Sequence, residues 1–279
     1  MKRELTQSQM IDRSLGRKFR KTIWAPFIHA IKQYNLIEKD DKIAVCISGG
    51  KDSFLLAKLI QNLHKFSDVP FEVEYIVMDP GYTKKHRDEI VANAQILELP
   101  IKIFESNIFD VADTTEKNPC YLCARMRRGC LYNYAKKLGC NKIALGHHMN
   151  DVVETTLIAM FYGSQLQGMM PKLNSTNFEN MQLIRPLYRI LEEDIIAWSR
   201  YNNLKFIRCA CKLTAKKHVD ELENSKRLEI KNLIKKLKET NPMIEYNIFN
   251  SIHQVNLDTF VAYKSNDEYI INPSINNKK

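Results

Sequence analysis

Short apolar runs alternate with segments of helical periodicity along most of the chain. The apolar runs predict strands at 43–47, 73–78, 101–104, 142–145 and 183–184, and the segments between them predict helices at 54–63, 86–97, 125–138 and 152–161. Strands that alternate with helices form βαβ units. The pattern therefore predicts a doubly wound α/β fold, with a mostly parallel sheet and helices on both faces.

The segments at the two ends have a different pattern. The first 38 residues are basic and place apolar residues at helical spacing, and residues 212–238 are rich in Lys and Glu with the same spacing. The last 15 residues or so are polar and rich in Asn, which predicts a loosely ordered tail. We therefore predict three parts: a basic N-terminal helical extension at 1–38, an α/β domain at 39–211, and a C-terminal helical segment with its tail at 212–279.

Charge and hydropathy indicate the compartment of the protein and the kind of partner it binds. Hydrophobic residues make up 44% and charged residues 27% of the 279 residues, as in ordinary globular proteins. Apolar runs stay far below the roughly 20 residues of a membrane helix, and the N-terminus lacks the apolar region of a secretory signal. We therefore expect a cytoplasmic protein without a membrane partner. The net charge of +10 favours a polyanion such as RNA, although a solvated basic surface explains it as well.

A glycine-rich turn follows the first predicted strand and precedes a predicted helix. It reads Ser48-Gly49-Gly50-Lys51-Asp52-Ser53. Glycines let the backbone approach an anion, and free N–H groups at the start of a helix point towards it. Lys51 adds a positive charge and Ser53 a hydroxyl group, whereas Asp52 indicates a magnesium ion or a constrained turn. The spacing differs from the Walker A and dinucleotide motifs, and a plain strand-to-helix turn is the alternative.

Polar residues follow two other predicted strands. Asp79 ends the second strand, and Gly146, His147, Asn150 and Asp151 follow the fourth. Ligands in open α/β sheets bind at the carboxyl ends of the strands. We expect Asp79, Gly146 and His147 to line a nucleotide pocket with the glycine-rich turn, and Asp151 to hold magnesium or orient a reacting base. A helix cap by Asn150 or Asp151 is the alternative, and the two roles are compatible.

Four of the seven cysteines are candidates for metal binding. An odd count in a reducing compartment makes a disulfide framework improbable. Cys120 and Cys123 have the Cys-x-x-Cys spacing that lets two thiolates reach one metal centre, whether zinc or an iron–sulfur cluster, and a redox pair is a third reading. A further thiolate must come from elsewhere, and Cys209 and Cys211 are available. The remaining cysteines are expected as small apolar side chains: Cys46, Cys130 and Cys140.

The turn at 48–53 resembles the phosphate loop of the PP-loop ATP pyrophosphatases, whose fold is adenine nucleotide alpha hydrolase-like. Three further segments narrow the resemblance: PCYLCARMRRG at 119–129, ALGHHMND at 144–151, and MFYG at 160–163 with the residues at 171–173 and 184–187 after it. Their order and content are similar to the TtcA-like tRNA 2-thiocytidine synthetases. This resemblance extends from about residue 20 to about residue 211.

The resemblance implies an ATP- and Mg²⁺-dependent reaction on tRNA. ATP adenylates the C2 oxygen of a cytidine at family position 32, with Lys51, Asp52 and Asp151 as the candidate catalytic residues. A sulfur nucleophile, derived from a cysteine desulfurase or from inorganic sulfide, then displaces AMP. The family holds this sulfur at a [4Fe–4S] cluster that three cysteines carry, which leaves one iron open. The resemblance also implies a homodimer.

Two positions depart from the family pattern. The family has Pro-Cys-x-x-Cys where this chain has Arg208-Cys209-Ala210-Cys211. Counting from Phe206 makes Cys209 the predicted third ligand beside Cys120 and Cys123, with Cys211 as the alternative. The family also has two adjacent acids where this chain has Asn150 and Asp151. Since asparagine supplies no charge, this departure weakens the case for a metal there.

Cations in two segments are candidates for RNA contact. Arg17 and Lys18 lie in the basic N-terminal extension, and Arg125 and Arg128 follow the cysteine pair on one face of a predicted helix. Exposed helix cations are the alternative. Two other classes of function stay open: a PP-loop sulfurtransferase that acts on another base or a small molecule, and a basic RNA-binding protein with a structural zinc.

Overall fold

The structure, a computed structural model, describes residues 4–106, 119–207, 226–265 and 268–276, with the backbone alone at 119–125, 273 and 276. The strands are β1 (Lys42–Ile47), β2 (Glu72–Asp79), β3 (Ile101–Glu105), β4 (Lys142–Ala144), β5 (Lys172–Asn174), β6 (Gln182–Ile184), β7 (Ala262–Ser265) and β8 (Glu268–Ile271). The helices are α1 (Gln7–Gly16), α2 (Ala25–Gln33), α3 (Lys51–Phe66), α4 (Lys84–Ile96), α5 (Pro119–Lys137), α6 (Met149–Gly163), α7 (Glu192–Tyr201), α8 (Lys226–Thr240), α9 (Ile244–Ser251) and α10 (Pro273–Asn276). A π-helical turn at Arg20–Trp24 precedes α2.

The first six strands form one sheet in the order β3-β2-β1-β4-β6-β5. Every pair is parallel except β5 with β6. The central strand β1 is apolar in nearly every position because helices cover both of its faces. Strand order reverses between β1 and β4, so the loops after these two strands flank one crevice at the carboxyl edge. The predicted doubly wound, mostly parallel fold is confirmed.

Two elements of the C-terminal part and one edge strand differ from the prediction. β8 and α10 lie in the segment that the sequence predicts as a loosely ordered tail, and this prediction is wrong for residues 268–276. The Asn272 side chain holds the base of the β7–β8 hairpin by donating to the carbonyl oxygens of Leu257, Asp258 and Phe260. The strands β5, β7 and β8 have only three or four residues and are half exposed, so they leave no apolar run to find.

The end segments pack against different parts of the sheet domain. The N-terminal residues Ile11, Leu15 and Phe19 belong to the same apolar cluster as β1 and α3. In a second cluster, Ile230 and Ile234 of α8 pack with residues of α6 and with Phe249 of α9. The three-part division of the chain stays a prediction. None of the helices in the described ranges is long and apolar enough to cross a membrane.

Candidate active site

The glycine-rich turn connects β1 to α3 as predicted. Gly49 has a φ of +91°, and a side chain there would lie 3.1–3.2 Å from Ile90 and Ile207. Ser53 Oγ accepts the backbone N–H of Ser48 at 3.1 Å and donates to the Gly50 carbonyl at 2.9 Å. The turn is therefore a closed loop at the first turn of α3, where helix N–H groups favour an anion.

Gly146, at the end of β4, touches this loop. A Cβ atom on Gly146 would lie 3.1 Å from the carbonyl carbon of Asp52 and from the backbone nitrogen of Ser53, closer than nearly all real Cβ contacts. Only glycine lets the β4 loop approach the backbone of the phosphate loop this closely. The two loops therefore form opposite sides of a single site.

A cavity of about 330 Å³ lies in the crevice between the two loops. Its lining residues come from the ends of β1, β2 and β4 and from α3, α5 and α6: Cys46, Ile47, Ser48, Asp52, Ser53, Met78, Tyr82, Arg127, Leu131, Leu145, Gly146, His147 and Asp151. The size and the mixture of apolar walls with a few polar groups are typical of small-ligand sites. Lys51 and Gly50 line an adjoining cleft, to which Asp52 also contributes.

His147 is neutral in this cavity. Burial and the nearby guanidinium of Arg185 lower the pKa of His147 to about 4. Its Nδ1 atom is buried and has no hydrogen-bond partner within the described part of the chain. A neutral imidazole with a spare ring nitrogen is suited to a hydrogen bond with a bound ligand.

Asp79 is buried but shapes the wall rather than lining the cavity. Its Oδ1 atom accepts the backbone N–H groups of Gly81 and Tyr82 at 2.9 and 2.6 Å. These bonds form the turn after β2 and place Tyr82 in the cavity wall. The ATP-binding role of Asp79 stays a prediction, and the structure adds a role in holding Tyr82.

Two carboxylates of the cavity lie on either side of His148. The Nε2 atom of His148 is 3.9 Å from Asp52 Oδ1 and 3.6 Å from Asp151 Oδ2. Asp151 also accepts the backbone N–H of His148 at 3.0 Å, so it caps α6 as the alternative reading of the sequence expects. Burial opposes ionisation of Asp151, but interactions with His148 and with the guanidinium of Arg227 outweigh it and keep the pKa of Asp151 below its usual value.

Lys51 points away from the loop backbone towards α7. Its ammonium group lies 2.9 Å from Glu192 Oε1 and 3.2 Å from Asp52 Oδ1. Burial raises the pKa of Glu192, but the hydrogen bond and charge of Lys51 outweigh burial and lower it to about 2. Glu192 is therefore ionised, and sequence reasoning missed it because the pair joins residues 141 positions apart.

Two hydrogen bonds explain why position 150 is an asparagine. Its Oδ1 atom accepts the backbone N–H of Glu192 at 2.8 Å, and its Nδ2 atom donates to the buried carboxylate of Glu245. A carboxylate at position 150 has no proton to donate to Glu245. Asparagine therefore joins α6, α7 and α9 at the edge of the site.

Helix α8 adds two cations that sequence reasoning also missed. Arg227 lies 3.0 Å from Asp151 and 3.1 Å from Glu154, and Lys231 lies 3.6 Å from Glu154 and 3.3 Å from Glu192. The apolar spacing of the C-terminal segment predicts a helix there, but nothing in the sequence connects that helix with the phosphate loop. The site therefore includes side chains from α8.

Helix α5 carries the cysteine pair in its first turns and lines the cavity further along. Arg127 and Leu131 of α5 line the cavity. At 100° per residue, positions 120, 123, 127 and 131 fall within one arc of about 80° on a helix. The spacing of Cys120 and Cys123 thus fits the same helix stripe as Arg127 and Leu131, and their place at the cavity stays a prediction. Their side chains and that of Arg125 lie outside the described residues, as do Cys209 and Cys211 altogether.

The cysteines expected as apolar side chains behave as such where they are described. Cys46 and Cys140 are buried, and Cys130 is partly buried. Burial raises the pKa of Cys46, and it raises that of Cys140 to about 11. Their thiols therefore stay protonated at neutral pH and are poor metal ligands.

The RNA-contact candidates lie in different places. Arg17 and Lys18 line a surface cleft of about 670 Å³, in which the Lys18 ammonium lies 3.9 Å from the ring centre of Tyr201. Arg128 is exposed on α5, about 100° around the helix from Arg127. The structure thus separates the N-terminal candidates from the ones on α5, and their contacts with RNA stay predictions.

The fold and the loop define a class. The PP-loop domain family matches residues 22–215, more than half of the chain, and the chain belongs to this family. Curated relatives include the tRNA-cytidine(32) 2-sulfurtransferases of Vibrio parahaemolyticus and Geotalea uraniireducens. The first is 40% identical over 187 residues, which cover 65% of this chain and 62% of that protein. The second is 34% identical over 241 residues, which cover 84% and 93%.

These relatives confirm the particular resemblance seen in the sequence, to the tRNA 2-thiocytidine synthetases. The chain spans about six tenths of the length of several of the curated relatives it matches. A similar solved structure is the U34-tRNA thiolase NcsA from Methanococcus maripaludis with its [4Fe-4S] cluster. It has a TM-score of 0.64 at 20% identity, and the match covers 85% of this chain and 80% of that chain. This likeness supports the fold.

Proposed function

We propose that the protein is an ATP-dependent tRNA sulfurtransferase that replaces the C2 oxygen of a cytidine, at position 32, with sulfur. The observation that carries the proposal is the cavity between the phosphate loop and Gly146, whose wall includes Arg127 and Leu131 of the helix that carries the cysteine pair. The names of the curated relatives supply the substrate.

The loop and its neighbours account for the activation half of this reaction. The first turn of α3 and Lys51 favour the phosphates of ATP, and neutral His147 offers a hydrogen bond inside the cavity. The cytidine C2 oxygen attacks the α-phosphorus, and pyrophosphate leaves. A sulfide then bonds to C2, and AMP leaves with the former oxygen. The residues of the chain bind, orient and shield these groups.

Magnesium fits the acids of the cavity. Asp52 and Asp151 both line it, and Mg²⁺ in phosphate sites is held by one or two carboxylates together with the phosphates. The oxygen donors suit this ion, and it would neutralise charge on the departing pyrophosphate.

The cysteine positions fit an iron–sulfur cluster. Cys120 and Cys123 belong to the α5 stripe that carries Arg127. Cys209 follows Ile207 by two residues, and Ile207 N–H donates to the Gly49 carbonyl of the phosphate loop at 3.2 Å. Cys209 and Cys211, the two candidates for the third ligand, are therefore two and four residues in sequence from a residue that is bonded to the phosphate loop. A cluster with three protein ligands would supply an open iron that carries sulfide.

The reaction is tested with anaerobically purified protein, ATP, Mg²⁺, sulfide and two tRNA transcripts that differ only at position 32, cytidine or uridine. We expect 2-thiocytidine by mass spectrometry only from the first transcript, with equal amounts of AMP and pyrophosphate. A thiolated base in both transcripts, or ATP cleavage that needs a small molecule and ignores tRNA, would contradict the cytidine assignment.

The cluster is tested by iron analysis of variants. We expect Cys120→Ser and Cys123→Ser to lose most of their iron and the visible absorbance of a cluster. Cys130→Ser on the same helix is the control and should keep both, since Cys130 packs against Met78. Zinc in place of iron in the anaerobic wild-type protein would contradict the assignment. The same analysis of Cys209→Ser and Cys211→Ser identifies the third ligand.

A further inference from the structure

A closed ring of charged side chains joins the phosphate loop to α8, with the imidazole of His148 between two of its carboxylates. It passes from Lys51 through Glu192, Lys231, Glu154, Arg227, Asp151, His148 and Asp52 and back to Lys51. The distances between neighbouring groups run from 2.9 to 3.9 Å. α8 begins at residue 226, beyond the matched domain that ends at 215, so two cations of this ring come from outside that domain.

Lys51 and Lys231 share the carboxylate of Glu192. The ammonium of Lys51 lies 2.9 Å from Oε1 and that of Lys231 lies 3.3 Å from Oε2. The backbone of Glu192 is fixed by Asn150, so the carboxylate stays between the two lysines. If an arriving phosphate draws Lys51 away, Glu192 keeps Lys231 as its counter-ion. Without Lys231, the same step leaves a mostly buried carboxylate uncompensated, which is unfavourable.

We propose that Lys231 is a positioning residue of the nucleotide site, which acts through Glu192 to release Lys51 to the phosphates of ATP. The inference rests on the ATP binding proposed above. Lys231 is about 42% exposed, and ion pairs this exposed contribute little to folding. The buried residues Ile230 and Ile234 attach α8 to α6 instead. Lys231 is thus free for a task other than stability.

The test measures the dissociation constant of Mg·ATP by titration calorimetry. We expect Lys231→Ala to weaken binding about threefold to fivefold, in line with the strength of partly exposed ion pairs. Lys231→Arg should restore wild-type affinity because it keeps the charge. In a Glu192→Gln background, Lys231→Ala should have no further effect, since the neutral amide needs no counter-ion. A purely structural role predicts no such dependence on Glu192.

Lys235→Ala is the matched control, since Lys235 is exposed on the same helix and makes no ion pair within the described ranges. It should bind Mg·ATP like the wild type. Wild-type affinity in Lys231→Ala, or an equal loss in the Glu192→Gln background, overturns the inference while the proposed function stands. A wild-type protein that binds no ATP overturns both. Lys231→Gln, which keeps the length of the side chain, replaces the alanine variant if that variant fails to fold.

Discussion

At the scale of single residues, Gly146 sets how closely the two loops of the site approach. The absence of a side chain there lets the loop after β4 lie against the backbone of Asp52 and Ser53. A Cβ atom cannot be accommodated by a rotamer change, because its nearest neighbours are main-chain atoms. The distance between the two loops that enclose the cavity therefore depends on glycine at position 146.

We predict that Gly146→Ala pushes the loops apart. Overpacking of this kind costs about 1–3 kcal/mol of unfolding free energy, and we expect at least a tenfold loss of ATP affinity, which corresponds to about 1.4 kcal/mol. Urea denaturation and calorimetry measure the two effects. Gly129→Ala in α5 is the control, since a Cβ atom there meets no described atom within 4 Å. Unchanged ATP binding by Gly146→Ala would refute this view of the loops.

His147 makes stability depend on pH. Its folded pKa of about 4 lies below the usual value of about 6.5, so the unfolded chain takes up this proton first as the pH falls. The stability associated with neutral His147 is complete above pH 6.5 and is lost as the pH falls towards 4. Between pH 7.5 and pH 5, we predict that the wild type loses about 2 kcal/mol more unfolding free energy than His147→Gln. Equal losses of unfolding free energy in the two proteins would show that His147 is not held as a neutral, buried imidazole.

At the scale of elements, Asn150 joins three helices through one amide. It accepts from the first backbone N–H of α7 and donates to Glu245 of α9. We predict that Asn150→Asp destabilises the fold by about 1–3 kcal/mol, because a carboxylate then faces the buried carboxylate of Glu245. The double variant Asn150→Asp with Glu245→Gln should recover most of this loss, since glutamine donates where asparagine did. Thermal melts of both variants measure the change in stability. A double variant as unstable as Asn150→Asp would refute the role of the Asn150–Glu245 hydrogen bond.

The elements differ in how far the sequence predicts them. The inner strands β1, β2, β4 and β6 are mostly buried, so their residues form apolar runs that a reader can find. The edge strand β3 is only partly buried, and its apolar residues at 101, 103 and 104 are interrupted by Lys102. The strands of the C-terminal hairpin have four residues each and are partly exposed. Asn272, which follows the second of these strands, donates to three carbonyl groups 12 to 15 residues earlier in the chain. Local patterning contains no trace of such contacts.

The residues of the candidate site likewise divide into those that contiguous motifs predict and those that only the fold brings together. The phosphate loop, Gly146 and His147 occur in contiguous motifs, which is why the sequence places them at strand ends. Glu192 and Arg227 contact the site only because the fold brings together residues 141 and 76 positions apart. Sequence spacing could have predicted Arg127 as a site residue, since it lies four residues after Cys123 and therefore on the same helix stripe.

At the scale of the whole molecule, two of the cations behind the net charge of +10 lie in a surface cleft beside an aromatic residue. Arg17, Lys18 and Tyr201 line one surface cleft, in which the Lys18 ammonium lies over the Tyr201 ring. Single-stranded RNA is bound by such combinations of charge and stacking. The cleft therefore supports the N-terminal candidates for RNA contact.

We predict that Arg17→Ala with Lys18→Ala weakens tRNA binding about tenfold at low salt and reduces the salt dependence of the binding constant by about two ion releases. Mg·ATP affinity should be unchanged, because neither residue lines the nucleotide cavity. Lys264→Ala in the hairpin is the control for a loss of one exposed charge. Filter binding across a salt series measures the effect, and an unchanged slope would exclude the cleft as a phosphate contact.

The ion pairs of α8 also bear on which part of the chain can fold alone. Glu154 is about 2% exposed, and the cations that contact it both come from α8 within the described ranges. A recombinant fragment that ended at residue 215, with the matched domain, would keep this buried acid and lose Arg227 and Lys231. It would also uncover the apolar face of α6 that Ile230 and Ile234 protect. The end of the matched domain at residue 215 is therefore not a limit of autonomous folding, and expression should include α8 and α9.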